Sequence, residues 1–186
     1  MPTDVFPAHT VETAPPEIRE ALAAARKSMG FLPSMLAKFA EAPALLQAYQ
    51  AASQYFEKTS LSATERLVIA LATSYRHNCD FCVTAHSFGA RRLGVEEEMV
   101  QALRNGTELS DPKLEALRRF VLAMIERRGA VSDDDKQAFF AAGYTPRQAL
   151  EVILGLALKT ITNYTNALAR TPPNPEFGSA LWRRRA

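Results

Sequence analysis

The sequence predicts an all-α protein: a compact single-domain helical bundle with an extended, proline-rich C-terminal tail. Three observations carry this. Apolar residues recur at helical spacing, as in Leu67, Val68, Leu71 and Ala72. Helix-start residues, Ser62, Asp111, Ser132 and Thr145, stand at the heads of such stretches. No run alternates with period two between turn residues, so no strand is expected. With 186 residues the chain can bury a real core as one domain, 1–186.

Taken in order, Pro15 and Pro16 open a helix to about residue 29, punctuated by Gly30 and Pro33. Short and longer helices follow at 34–40 and, from Pro43, at 43–58. Ser62 caps the next, with Glu65 three residues on, the spacing of a capping box. Asn78, a favoured cap residue, starts a helix to about residue 90, with Cys79 in its first turn. After Gly94 a helix covers 96–104, and Asn105-Gly106 marks a turn. Asp111-Pro112 is an N-cap and N1 pair for a helix ending near Gly129. Ser132 caps a short helix to 142, and Thr145-Pro146 opens the last long one, to about 170. Pro172, Pro173 and Pro175 rule out helix beyond it, so 171–186 reads as an extended or loosely packed tail. Residues 65–78 and 148–163 echo each other as amphipathic segments, which suggests a duplicated helical unit.

Net charge is +2, with basic and acidic residues interspersed. The single basic run, Arg183-Arg184-Arg185, reads as a solvated tail and gives no nucleic-acid face. The N-terminal residues lack a basic segment followed by an apolar one, so no secretory signal is expected. The longest apolar stretch, 152–158, is too short to span a bilayer. A cytoplasmic location is therefore expected. In that reducing compartment a C-x-x-C is catalytic more readily than it is a structural staple.

The chemistry concentrates in Asn78-Cys79-Asp80-Phe81-Cys82-Val83-Thr84-Ala85-His86, which holds both cysteines of the chain. On a helix, spacings of three and four residues set Cys79, Cys82 and His86 on one face. Two thiols one turn apart can close a reversible disulfide, and a helix start favours a thiolate. A neutral His86 can accept the Cys82 proton, and the resulting imidazolium would stabilise the sulfur anion. This favours Cys82 as the attacking sulfur and Cys79 as the resolving one. Glu65 has two readings: the acid of the Ser62 capping box, or a carboxylate that orients His86 if its helix packs antiparallel to the cysteine helix. His77 and His86 beside the cysteines raise zinc, but four ligands crowded into one turn and its cap would not surround a tetrahedral ion. No metal or cofactor is called for. Tyr75, Phe81, Phe88 and Tyr164 are candidate walls for an apolar pocket around the sulfurs, and Trp182 a candidate anchor for the tail on a neighbouring subunit.

Residues 61–71, LSATERLVIAL, followed by C-x-x-C-x-x-x-H at Cys79, Cys82 and His86, resemble the carboxymuconolactone decarboxylase-like superfamily, in its alkyl hydroperoxidase D branch. Gly30-Phe31-Leu32-Pro33 and residues 157–166 add to the likeness, which covers about 28–170. The resemblance implies an all-helical homo-oligomer, a hexamer, that reduces peroxides with a small or protein dithiol as reductant. It also implies a proton relay through a glutamate, both cysteines and the histidine. Cys79, Cys82 and His86 match that relay. Its glutamate falls at Leu67 in this chain, while Glu65 stands two residues earlier, and Phe81 replaces a histidine before the second cysteine. Two other functions fit the same residues: a lactone decarboxylase, which has no evident use for a C-x-x-C, and a non-enzymatic thiol sensor of oxidation.

Overall fold

Capping chemistry sets four of the helix starts. Ser62, Ser132 and Thr145 each form a capping box with Glu65, Asp135 and Gln148, and Asp111 accepts from the amides of Lys113 and Leu114. The computed structural model describes residues 5–184; residues 1–4 and 185–186 lie outside the described part, and with them Arg185 of the basic run. Among the described residues there are nine α-helices, two 3-10 segments and no strand. A 3-10 turn at Pro16–Ile18 leads into α1 (Arg19–Met29). Then come α2 (Ser34–Phe39), α3 (Pro43–Glu57), α4 (Ala63–Arg76) and α5 (Asp80–Arg92). The chain continues with α6 (Glu97–Asn105), α7 (Pro112–Glu126), α8 (Asp133–Ala141) and α9 (Pro146–Leu168). A second 3-10 segment follows at Pro175–Ala180. No described helix is long and apolar enough to cross a membrane.

Helix α4 is the hub. It packs against α5, α6, α7 and α9, and Val68, Ile69 and Leu71 are fully buried. One glycine sets its distance from α9. A Cβ on Gly155 would stand 2.8 Å from the Ile69 side chain and from the Phe56 ring, so only glycine allows this approach. Residues 159, 162, 163 and 166 lie further along the same face of α9 and are all buried. The face of α9 that meets α4 at Gly155 thus continues as a buried, polar stretch, and α9 also packs against α5.

The C-terminal tail differs from expectation. It is neither extended throughout nor loosely packed: Pro175 occupies the first turn of its 3-10 segment, a place where the missing N–H costs nothing. Phe177 is buried against Phe31, Phe81 and Phe88. Trp182 is buried against Tyr75 of its own chain, its amide donating to Thr84 Oγ1 at 3.0 Å. Arg104 holds the tail by donating to the carbonyls of Ala180 and Leu181 at 2.8 and 3.1 Å. Trp182 therefore anchors the tail on its own chain. Arg184 lies over the Tyr75 ring, 5.2 Å from its centroid, so the basic run is partly docked.

Candidate active site

The turn between α4 and α5 is only three residues long, and each has a defined task. His77 closes α4. Asn78 takes a left-handed conformation, φ 55°. Its amide donates to Tyr75 O at 3.1 Å and that of Cys79 to Ser74 O at 3.0 Å, the two crossed bonds of a Schellman closure. Asn78 is thus the left-handed stop of α4 and not the cap of α5. Asparagine suits both places, which is why the sequence reading misplaces it by one residue. Cys79 is the cap: its Sγ accepts from the Cys82 amide at 3.3 Å. Cys82, and not Cys79, stands in the first turn.

Both cysteines are free thiols and both are buried, yet their surroundings pull them apart. Burial pushes Cys82 up. A hydrogen bond from Cys79, the nearby charge of Lys159 and donors from Asn166 and Thr162 outweigh burial and hold it at about 6. Asn166 Nδ2 donates to the sulfur at 3.3 Å. The hydrogen bond with Cys82 is the main cause that drives the Cys79 thiol far above its ordinary value, with burial adding to it. Only one of two sulfurs sharing a proton can be the anion, and here it is Cys82.

Lys159 is the residue that sequence reasoning missed. It is 4% exposed, and its Nζ donates to His86 Nε2 at 2.6 Å. Among the described residues no carboxylate lies within ion-pair distance of it. An imidazole nitrogen that accepts from an ammonium carries no proton. Burial and the Lys159 charge hold His86 well below the usual histidine range. The expected imidazolium beside Cys82 is therefore replaced by a neutral ring, and the cation is supplied from α9. The one signal available was a lysine in the apolar α9 stretch, within the segment 157–166.

Glu65 is placed elsewhere. Its Oε2 accepts from the Ser62 amide at 2.7 Å and its Oε1 pairs with Lys113 of α7 at 3.2 Å. Leu67, two residues on and so about 200° around the helix, faces the cysteine side with Ala63, Arg66 and Ala70. The structure does not bring Glu65 to His86. His77 accepts from Asn163 Nδ2 at 3.1 Å, and burial pulls it below its ordinary value, helped by Arg76 and Lys159. Among the described residues no three His, Cys, Asp or Glu side chains come together to hold a metal.

A cavity of about 690 Å³ opens onto Cys82. Met35, Tyr49, Phe56 and Leu158 give it apolar walls, with Phe81; His86, Lys159 and Thr162 supply polar groups beside the sulfur. Of the four aromatics expected around the sulfurs, only Phe81 lines it; Phe88 packs on Phe177, Tyr75 on Trp182, and Tyr164 is exposed beside His77. Cys79, though buried, is absent from the wall. A molecule in the cavity meets the ionised sulfur first.

An all-helical chain with a buried, unequal C-x-x-C pair facing an organic-sized cavity defines a class of helical dithiol proteins. The sequence model of the carboxymuconolactone decarboxylase family matches residues 40–123 of the chain. No curated protein matches it. Its fold is that of the alkylhydroperoxidase AhpD core of an uncharacterized peroxidase-related protein from Ralstonia eutropha JMP134, with TM-score 0.84 and 22% identity over 99% of this chain and 100% of that one. The peroxidase-related protein of Silicibacter sp. TM1040 is similar, with TM-score 0.79 and 20% identity over 96% and 97% of the two chains. So is the debrominase Bmp8 in complex with 2,3,4-tribromopyrrole, with TM-score 0.78 and 20% identity over 97% of each chain. Likeness at this identity shows the fold alone.

Proposed function

We propose that the protein is a thiol-dependent peroxidase that cycles between the Cys79–Cys82 dithiol and its disulfide. The observation that carries this reading is the unequal placement of the sulfurs: Cys82 lies on the cavity wall with Asn166 donating to it and Lys159 nearby, which lowers its pKa, while Cys79 is off the wall and pushed up by its bond to Cys82. Cys82 attacks the terminal oxygen of a hydroperoxide, becoming a sulfenic acid as the O–O bond breaks and an alcohol leaves. Cys79 then displaces water from that sulfur and closes the disulfide, which an external dithiol reduces. A reducing compartment such as the cytosol suits this cycle. The apolar cavity walls favour an organic hydroperoxide over hydrogen peroxide. The test is consumption of cumene hydroperoxide supported by dithiothreitol. Sustained turnover is expected; a protein whose thiols oxidise once and stop is a sensor and not this enzyme.

A second reading is reductive dehalogenation, favoured by the apolar cavity and by the fold shared with a debrominase. The same two thiols would supply two electrons, leaving a C–H bond, a halide ion and the disulfide. Bromide release from a brominated pyrrole, set against peroxide consumption, separates the two.

We also read the chain as a homo-oligomer, a hexamer. Leu150, Ile153, Tyr164 and Leu168 are exposed along α9 and support this. Light scattering tests it: a monomer of 20.5 kDa would reject it.

A further inference from the structure

We propose that Lys159 is the proton donor and acceptor of the redox cycle, and that His86 is the residue that positions it. The proposal rests on the peroxidase reading. Attack by a thiolate on R–O–OH releases an alkoxide into an apolar cavity, where it needs a proton at once. Three observations point to Lys159 as its source. It lines the same cavity as Cys82. It is buried on α9, one turn beyond Gly155 on the same helix face. Its Nζ is fixed at 2.6 Å by His86 Nε2, with no carboxylate partner among the described residues to hold its charge.

The neighbouring groups are less suited. His86 accepts at Nε2 and has no proton there. Arg66 on the cavity wall is engaged elsewhere, its guanidinium donating to the Leu61 carbonyl. Tyr49 is pushed up to about 12, chiefly by burial. Glu57 lies exposed at the cavity rim. Cys79 is committed to resolution, and His77 faces Asn163 away from the cavity lining.

The proton inventory closes. Cys82–S⁻ and ROOH give Cys82–SOH and RO⁻. Lys159 ammonium gives RO⁻ a proton, leaving ROH and a neutral amine. Cys79–SH and Cys82–SOH give the disulfide and water. A dithiol reduces the disulfide to two thiols and is itself oxidised to a disulfide. The Cys82 thiol then returns its proton to Lys159, restoring thiolate and ammonium. Over one turn the protein neither gains nor loses a proton.

The experiment is stopped-flow oxidation of Cys82 by cumene hydroperoxide and by peracetic acid, in wild type, Lys159→Met and Lys159→Arg. Peracetic acid releases acetate, a stable anion that needs no proton. Rates are compared per thiolate, with ionisation measured by iodoacetamide alkylation in each variant. Lys159→Met is expected to lose about 100-fold or more on cumene hydroperoxide and far less on peracetic acid. Lys159→Arg keeps the charge but has no proton to give, so Cys82 should stay ionised while the selective loss remains. Circular-dichroism melting checks the fold, and if Lys159→Met does not fold, Lys159→Arg decides alone. Equal losses on both peroxides, or full activity of Lys159→Arg on cumene hydroperoxide, overturns the proposal. A wild type inert to both oxidants instead overturns the peroxidase reading.

Discussion

Two buried charge centres lie on opposite sides of α4, and they are built on opposite plans. On the α7 side every charge has its counterpart. Glu115, 8% exposed, takes two hydrogen bonds from Arg118 at 2.7 and 2.8 Å, one from Arg119 at 2.9 Å and one from the Leu109 amide at 3.0 Å. Burial raises the Glu115 pKa, but these donors outweigh it and hold the carboxyl below its ordinary value. On the α5–α9 side the buried ammonium of Lys159 faces a neutral imidazole and a thiol pair. A saturated carboxylate has nothing left to offer a ligand, so the first centre is structure. A cation whose only anion is a nucleophile is poised, because any reaction of that nucleophile changes the balance of charge.

The largest effect that sharpens this contrast is loss of the nucleophile. Cys82→Ser should lower peroxide turnover by about 1000-fold or more while changing the melting temperature little, since serine removes the thiolate but fills nearly the same space. Cys79→Ser should also stop turnover, yet still consume one equivalent of peroxide and leave a sulfenic acid that dimedone traps. If Cys79→Ser is inert and Cys82→Ser gives the single turnover, the two sulfurs have the reverse roles.

Alkylation reads the same asymmetry without substrate. The Cys82 rate should rise with pH through a midpoint at about 6 and level off above it. Below that midpoint the thiolate fraction, and so the rate, falls about tenfold per pH unit. Cys79 should stay nearly unreactive across the neutral range, because its thiol is pushed up by the bond to Cys82. Peptide mapping after iodoacetamide pulses measures each cysteine separately. Similar midpoints for both would remove the basis for assigning attack to Cys82.

What was legible in the sequence was local. Ser62 with Glu65, Asp111 with Pro112 and Thr145 with Pro146 are signals within four residues, and each helix starts as read. The C-x-x-C-x-x-x-H run was legible for the same reason. What was not legible depends on partners far along the chain. Lys159 is 73 residues from His86 and Asn166 is 84 from Cys82, and no spacing rule connects them. The tail was misread because prolines forbid a continued helix but say nothing about burial; Phe177 and Trp182 find their surfaces on α5 and beside Tyr75. Asn78 was off by one because its residue type serves either side of a helix–helix turn.

Breaking the paired centre should hurt stability and spare chemistry. Glu115→Gln leaves Arg118 buried without its counter-charge, and this should cost on the order of 3 kcal/mol in urea unfolding. The Cys82 alkylation midpoint should not move, because no donor to that sulfur comes from α7. A shifted midpoint would show that the two centres are coupled through α4 and that the contrast between them is false.

The smallest effect is the most pointed, because Glu65 is where the family resemblance and the geometry part. As a relay carboxylate it would govern Cys82; as built, it closes the Ser62 cap and pairs with a half-exposed Lys113. Glu65→Gln keeps an oxygen for the Ser62 amide and loses the charge. The half-exposed partner makes the ion pair weak, so the total cost should be about 1 kcal/mol or less. Turnover on cumene hydroperoxide should stay within about twofold, since His86 takes its hydrogen bond from Lys159 and the position that faces the cavity is Leu67. Leu67→Glu makes the complementary test. It places a carboxylate on the cavity wall that Lys159 also lines, where it would give the ammonium a competing anion. The Cys82 midpoint should then rise and alkylation near neutrality should slow. A large loss in Glu65→Gln together with an unchanged Leu67→Glu would restore the glutamate to the relay and take Lys159 out of it.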